Sequence, residues 1–427
     1  MCDCVVAVGD ETLDGVTLFG KNSDRVAGEP QPLLQFSEAA HPPGASVACT
    51  HIEIPQVAET YRVLGHSPWW VWGFEQGVNE FAVAIGNHSV FSREPLEDEP
   101  GLIGMDLVRL GLERSRDARE AVEVIAELIE RYGQGGAALG PDGAGYHNSF
   151  LIADPMEAWR LETSNRHWVA RRTRLCGMSN HYELGDDWEI ASRETERFAR
   201  GQNWWPEEAR IDFSAAYRNH AVPKQLSSGR VRRSLELLEK GRGSHAVGSF
   251  LALLRDHEGS VEGPPPEGVT PDDERFFTLC AHSDPVFSTT ASLVAPLPGD
   301  RVVPWPVWVC FGSPCTGVYL PVYLEGVIPA ELARAGESPE ADSLWWGARR
   351  LQDRIAADAV GFTPRVQRAW SEFSTELERD RVAVEVDARR LALEDRCDEA
   401  GRVLSRFMEH WAVRALKRME DLVQELA

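Results

Sequence analysis

Residues Cys4–Val8 are Val-rich and alternate weakly between larger and smaller side chains. Gly9–Gly15 is rich in turn residues, and an apolar run resumes at Val16–Phe19. That pattern predicts a β-hairpin at the start of the chain. Beyond Pro-rich stretches at Glu29–Pro32 and Pro42–Gly44, Val47–Ile54 and Phe81–Ile85 read as strands. The period then changes. Leu107, Val108, Leu110 and Leu112 fall at helical spacing, and Asp117 followed by Glu120 forms a capping-box-like start. Ala121, Val122, Val124, Ile125, Leu128 and Ile129 mark an amphipathic helix that ends at Gly133–Gly136.

Strand candidates return at Ser149–Ala153 and Ala158–Thr163 around the Asp154-Pro155 turn, and continue at His167–Arg171 and Leu175–Ser179. Val231–Glu239 and Ala246–Arg255 read as helices, and the acidic, Pro/Gly-rich Gly259–Asp273 as an exposed loop. Thr290–Ala295, Val307–Phe311 and Gly317–Val322 read as strands, and from Ser343 onward the pattern is mostly helical, with the charged Glu376–Asp398 as a solvent-facing helix. Strands in runs, with helices between and after them, predict an α+β fold rather than strict βαβ alternation. No repeat or low-complexity linker forces a domain boundary, so residues 1–427 are expected to form one domain, with 336–427 a helical extension packed on it.

Composition narrows the function class. The formal charge is −23, from 67 acidic and 44 basic residues, which disfavours nucleic acid and anionic lipid as partners. Mean hydropathy is −0.30 and no apolar run approaches a membrane span. The start, MCDCVVAVGDE, lacks a basic segment followed by an apolar stretch, so a cytoplasmic location is expected. The eight cysteines are scattered, with neither a C-x-x-C pair nor an H-E-x-x-H segment, so neither a disulfide framework nor a metal is expected.

Candidate chemistry concentrates at the N-terminus. Removal of Met1 would leave Cys2 carrying both a thiol and a free α-amine. Such an amine, with an ordinary pKa of about 7.7–8.0, can serve as base for its own thiol. The predicted hairpin returns Gly20–Arg25 to the side of residue 2. Lys21 there supplies a cation able to stabilise a thiolate or oxyanion, and Asp24 a carboxylate able to hold a protonated amine.

These residues also carry a resemblance. MCDCVVAVGDETLDGVTLFGKNSDR resembles the start of secernins and of the bacterial dipeptidases related to them. SPWWVWGFEQGVNE (Ser67–Glu80), GMDLVRLGLERS (Gly104–Ser115), RYGQGG (Arg131–Gly136), FLIADPMEAWRLET (Phe150–Thr163) and SPCTGVYLPVY (Ser313–Tyr323) are similar to further segments of that family. The likeness is dense over roughly the first 180 residues and thin beyond. It implies a four-layer αββα sandwich of the N-terminal-nucleophile hydrolase type, with a mostly helical C-terminal part. It also implies that Cys2 is the nucleophile, with Lys21 and Asp24 in the place of an Arg-x-x-Asp pair. Lys for Arg keeps the charge and loses the bidentate fork. Asn87, in AIGNHS, stands where an oxyanion-hole amide is expected, and Asn180, in CGMSNHYE, resembles a segment that binds near the scissile carbonyl. His66 and Trp72 are the substrate-binding candidates, and Cys4 reads as a buried strand residue.

The expected activity is that of a cysteine-type amide hydrolase, most readily a dipeptidase, acting on a small peptide or amide without metal or organic cofactor. An N-acyl amide acylase and a secernin-like binding protein with little peptidase activity are the alternatives, and a homo-oligomer is left open.

Overall fold

The computed structural model describes residues 1–206, 209–258, 270, 272–283 and 287–427. The loop expected over Gly259–Asp273 lies mostly outside the described residues. Among the described residues, fifteen strands build the two main sheets. In chain order they are β1 (Cys2–Ala7), β2 (Thr17–Arg25), β3 (Leu33–Phe36), β4 (Val63–His66), β5 (Gln76–Asn79), β6 (Ala84–Val90), β7 (His147–Ala153), β8 (Ala158–Ser164), β9 (His167–Thr173), β10 (Leu175–Met178), β11 (Ile190–Ala191), β12 (His282–Ser283), β13 (Phe287–Leu297), β14 (Val307–Phe311) and β15 (Leu320–Val322). The first sheet runs β10-β1-β2-β13-β14-β15, with β12 beside β13, and the second runs β11-β9-β8-β7-β6-β5-β4-β3.

Alternation along each strand explains how the sheets stack. Cys4, Val6 and Phe19 of the first sheet share a core with Leu64, Val78, Ala84 and Leu151 of the second. Their neighbours face outward: Val5, Ala7, Leu18 and Val294 pack on helices α3 (Ser228–Lys240) and α4 (Val247–Leu253). Ile85, Phe150, Ile152 and Leu161 pack on α1 (Gly104–Arg114) and α2 (Ala118–Tyr132). The result is a four-layer αββα sandwich. Strands buried on both faces read as nearly continuous apolar runs, which is why alternation in β1 looks weak. The C-terminal part is mostly helical, as expected: α5 (Leu344–Ile355), α6 (Ala359–Leu393) and α7 (Cys397–Glu425) extend the inter-sheet core beyond β14 and β15 through Trp345, Trp370 and Trp411. Among the described residues, no helix is long and apolar enough to cross a membrane.

Three readings need correction. The second strand of the hairpin, read at Val16–Phe19, runs on buried through Gly20–Arg25 as β2. Val47–Ile54 is a small hairpin of two strands, Ser46–Ala48 and Glu53–Pro55. The strand expected at Phe81–Ile85 runs from Ala84 to Val90, because Ala82 turns the chain with φ +59°. Strands β3 to β5 went unforeseen. Each has four residues, and β4 and β5 carry Gly65 and Gly77 at a close backbone approach, where a Cβ on Gly65 would lie 2.6 Å from the Gln76 carbonyl oxygen.

Candidate active site

Register places the chemistry. Strands β1 and β2 pair antiparallel with Cys2 opposite Ser23 and Cys4 opposite Lys21. Because side chains alternate along a strand, residues three apart face opposite ways. Lys21 and Asp24 therefore do not form one pair. Lys21 points between the sheets, on the side of the Cys2 thiol, whereas Asp24 points toward α3.

On the inner side, Glu75 gathers the charges. Its Oε2 lies 4.0 Å from Cys2 Sγ and 3.4 Å from Lys21 Nζ. Its Oε1 accepts from Arg25 Nη1 at 3.1 Å, and Arg25 also makes a two-pronged pair with Glu29 at 3.0 and 2.7 Å. Burial pushes the Cys2 thiol above its ordinary value, and the Lys21 charge pulls it back down. Burial alone would lower Lys21, but the Cys2 and Glu75 charges outweigh it and hold the lysine above its usual value. Cys4 is fully buried in the core, and desolvation raises its thiol well above normal.

On the outer side, Arg230 of α3 donates to Asp3 Oδ2 at 2.5 Å and lies 3.7 Å from Asp24 Oδ2. Thr289 Oγ1 donates to Asp24 Oδ1 at 2.7 Å. Asp24 Oδ2 and Asp3 Oδ1 are buried without a hydrogen-bond partner among the described residues. Burial pushes the Asp24 carboxyl up to about 6. Two carboxylates thus face one guanidinium, leaving this buried cluster one cation short. The start of the chain lies alongside: Met1 N donates to the Asp24 backbone carbonyl at 2.7 Å, and the Cys2 peptide N–H donates to Asn180 Oδ1 at 2.9 Å.

A cavity of about 240 Å³ opens on the thiol, walled by Met1, Cys2, Glu75, Phe91, Leu139 and Tyr146. Polar groups lie at its base and apolar groups at its mouth, which suits a small amide-containing ligand.

The sequence candidates divide on this geometry. Cys2, Lys21, Asp24 and Asn180 converge at residue 2. Asn180 does so as an acceptor: its Nδ2 is occupied by Ser89 O and Oγ at 2.9 and 3.0 Å, while Oδ1 holds Cys2 N and takes a second bond from Arg230. Asn87 sits one shell further out. Its amide faces the Glu75 carbonyl and carboxylate, which only accept, so its nitrogen belongs on that side, 3.0 Å from Glu75 O and 2.7 Å from Oε2. Neither side-chain amide stands ready for an oxyanion in the arrangement seen. His66 and Trp72 do not line the cavity. His66 is buried with Nδ1 at 3.3 Å from Gln76 and its ring edge-on to Phe311. Trp72 packs against Arg109, whose guanidinium lies 3.9 Å from its ring. A polar ring and an indole near a motif each found a partner within the fold instead.

Glu75, Arg230 and Asp3 were missed. Glu75 had a signal, as the one acidic residue inside the apolar stretch Ser67–Gly77. Arg230 had none, because nothing in an Arg-rich helix marks which guanidinium turns inward.

The sequence pattern of peptidase family C69 matches residues 2–217, about half of the chain. The chain belongs to this family. The C69 segment contains Cys2, Lys21, Asp24, Glu75, Asn87 and Asn180, and Arg230 lies beyond it. A dipeptidase from Bifidobacterium longum is 26% identical over 197 residues, covering 40% of this chain and 35% of the relative. A probable dipeptidase A from Streptococcus pyogenes is 27% identical over 187 residues, covering 40% of this chain and 37% of the relative. The alignments thus span little more than a third of those relatives' length. Among solved structures, penicillin V acylase from Agrobacterium tumefaciens is 15% identical with a TM-score of 0.44, covering 78% of this chain and 89% of that one. A conjugated bile acid hydrolase from Clostridium perfringens is 11% identical with a TM-score of 0.42, covering 73% and 89% respectively.

Proposed function

We propose that the protein is a cysteine-type hydrolase of small peptides, dipeptides first, in which Cys2 becomes an N-terminal nucleophile once Met1 is removed. The observation that carries this reading is the charge deficit beside residue 2. Asp24 and Asp3 share one guanidinium, Asp24 Oδ2 lacks a donor, and Asn180 Oδ1 already accepts from the residue-2 nitrogen. An α-ammonium at Cys2 supplies the missing cation and the missing donor in the same place.

The chemistry follows from that placement. The neutral α-amine takes the thiol proton, and the thiolate, favoured by the Lys21 charge, attacks the amide carbon. The resulting ammonium returns the proton to the leaving amine as the C–N bond breaks, leaving a thioester. Water, deprotonated by the same amine, then attacks the thioester and releases the acid and the thiol. The small cavity favours short substrates, and membership of family C69 with dipeptidase relatives favours a peptide bond.

Two measurements test the reading together. Intact mass of the purified chain is expected to lack one methionine. A panel of dipeptides is expected to be cleaved by that protein and not by a folded Cys2→Ala variant. Retention of Met1 in a chain that still cleaves dipeptides, or turnover by Cys2→Ala, would sink the mechanism.

A further inference from the structure

Away from the catalytic cavity, four potential metal ligands converge from three separate stretches. His257 follows α4, Cys280 and His282 flank the start of β12, and Cys315 lies in the loop between β14 and β15. One donor atom from each lies within 4.8 Å of all the others. His282 Nε2 is 3.4 Å from Cys280 Sγ and 3.1 Å from Cys315 Sγ. The His257 and His282 rings are 5.2 Å apart. His257, Cys280 and Cys315 are buried, His282 is half-buried, and both cysteines are free thiols. His257 Nε2 is buried and has no hydrogen-bond partner among the described residues.

We propose that His257, Cys280, His282 and Cys315 bind one zinc ion as a closed, tetrahedral structural site. Zinc–sulfur bonds of about 2.3 Å and zinc–nitrogen bonds of about 2.0–2.1 Å make a tetrahedron whose edges are about 3.3–3.8 Å, close to the two nitrogen–sulfur separations of 3.1 and 3.4 Å at His282. Two imidazoles and two thiolates are a donor set that selects zinc over hard cations, which prefer oxygen. The charge closes as well, since two thiolates neutralise a divalent ion in a buried setting.

The position gives the ion a purpose. Cys315 O accepts from Gln367 Nε2 of α6 at 3.1 Å, and the neighbouring Thr316 O accepts from Trp370 Nε1 at 2.9 Å. Ala281 N, between two ligands, donates to Thr289 Oγ1 at 2.9 Å, and that hydroxyl holds Asp24. The ion would therefore pin Cys280 and His282 to the β14–β15 loop beside α6, and through Thr289 steady the carboxylate beside residue 2.

Elemental analysis of the whole reduced chain, purified without chelator and desalted after incubation with zinc, tests the proposal. About one zinc per chain is expected. Cys2→Ala is expected to keep it, and a Cys280→Ser/Cys315→Ser double variant to lose it. Should that variant fail to fold, cobalt loaded into the wild-type chain decides the matter. A near-ultraviolet thiolate-to-cobalt band with strong tetrahedral visible bands supports the site, and the weak spectrum of octahedral cobalt overturns it. Less than about a tenth of an equivalent of zinc in the folded, reduced chain overturns it too. Undiminished zinc in a folded double variant, or a Cys280–Cys315 disulfide in chain alkylated at lysis, does the same.

Discussion

At the scale of single residues, Lys21 and Glu75 act on the Cys2 thiol with opposite sign. The lysine charge lowers the thiol and the glutamate charge raises it, both against a larger upward push from burial. Lys21→Met should therefore move the pH profile of Cys2 alkylation upward, and Glu75→Gln should move it downward, each by about one unit or more. Breaking a buried pair costs about 3–5 kcal/mol, so both variants need a folding check by circular dichroism. Arg25 keeps Glu75 in the first and Glu29 in the second, but Glu75→Gln takes from the buried Lys21 its carboxylate partner, so the folding check matters most there. Shifts of the same sign in both variants would show that the two charges act through structure rather than through the thiol's field. In the proposed mechanism the Lys21 variant also loses turnover at neutral pH, because less thiolate is present to attack.

Among the elements, the contact between β2 and β6 sets the geometry of the site. Gly86 of β6 lies directly over Lys21. A Cβ there would be 2.5 Å from Lys21 Cδ and 2.8 Å from Cys4 Sγ. Gly86→Ala must push the sheets apart or bend the lysine aside. It is expected to cost about 1–3 kcal/mol of stability in denaturant melts. Bending Lys21 away should also slow alkylation of Cys2 at fixed pH, and an unchanged rate would mean that the lysine keeps its place. This contact also marks how far the sequence could be read. Helix α2 was legible in full, from Asp117 accepting at 2.8 Å from Glu120 N to Gly133 at φ +70°, because caps are written in local sequence. Strands β7, β8 and β13 to β15 were legible as apolar runs. Cys2, Lys21 and Asp24 were found because they share one hairpin. Glu75 and Arg230 reach residue 2 only through the stacking of sheets and helices, which no local pattern records. The proposed zinc ligands were hidden for the same reason. His257, Cys280-x-His282 and Cys315 have no spacing of a zinc knuckle, and only the packing of three loops brings them together.

On the scale of the whole molecule, one core runs from Cys4 and Phe19 between the sheets to Trp411 and Leu422 in the last helix. Four buried histidines and the half-buried His181 are held neutral. Burial lowers His66 to about 3 and His147, His167 and His181 to about 4, and it lowers His88 as well. An unfolded histidine takes a proton below about 6.5 and these do not, so each contributes stability that is present above that pH and lost as pH falls. At pH 5 the loss is about 2 kcal/mol for each of His66, His147, His167 and His181. Buried carboxyls oppose it. Burial raises Asp24 and Asp106 to about 6 and Glu162 to about 7, so acid relieves them. Between pH 7 and 5 they return about 1 kcal/mol each for the aspartates and about 2 kcal/mol for the glutamate. The histidines outweigh these three carboxyls, and the thermal midpoint is expected to fall from pH 7 to pH 5. His167 offers the cleanest check. Its ring lies 4.3 Å from Phe198 and 5.9 Å from Tyr217, neither of its nitrogens has a hydrogen-bond partner among the described residues, and Glu94 is 3.9 Å away. A phenylalanine fits that aromatic setting and cannot titrate. His167→Phe should leave the midpoint at pH 7.5 nearly unchanged and make its fall toward pH 5 visibly shallower. An equally steep fall in the variant would mean that His167 is charged in the folded protein and paired with Glu94.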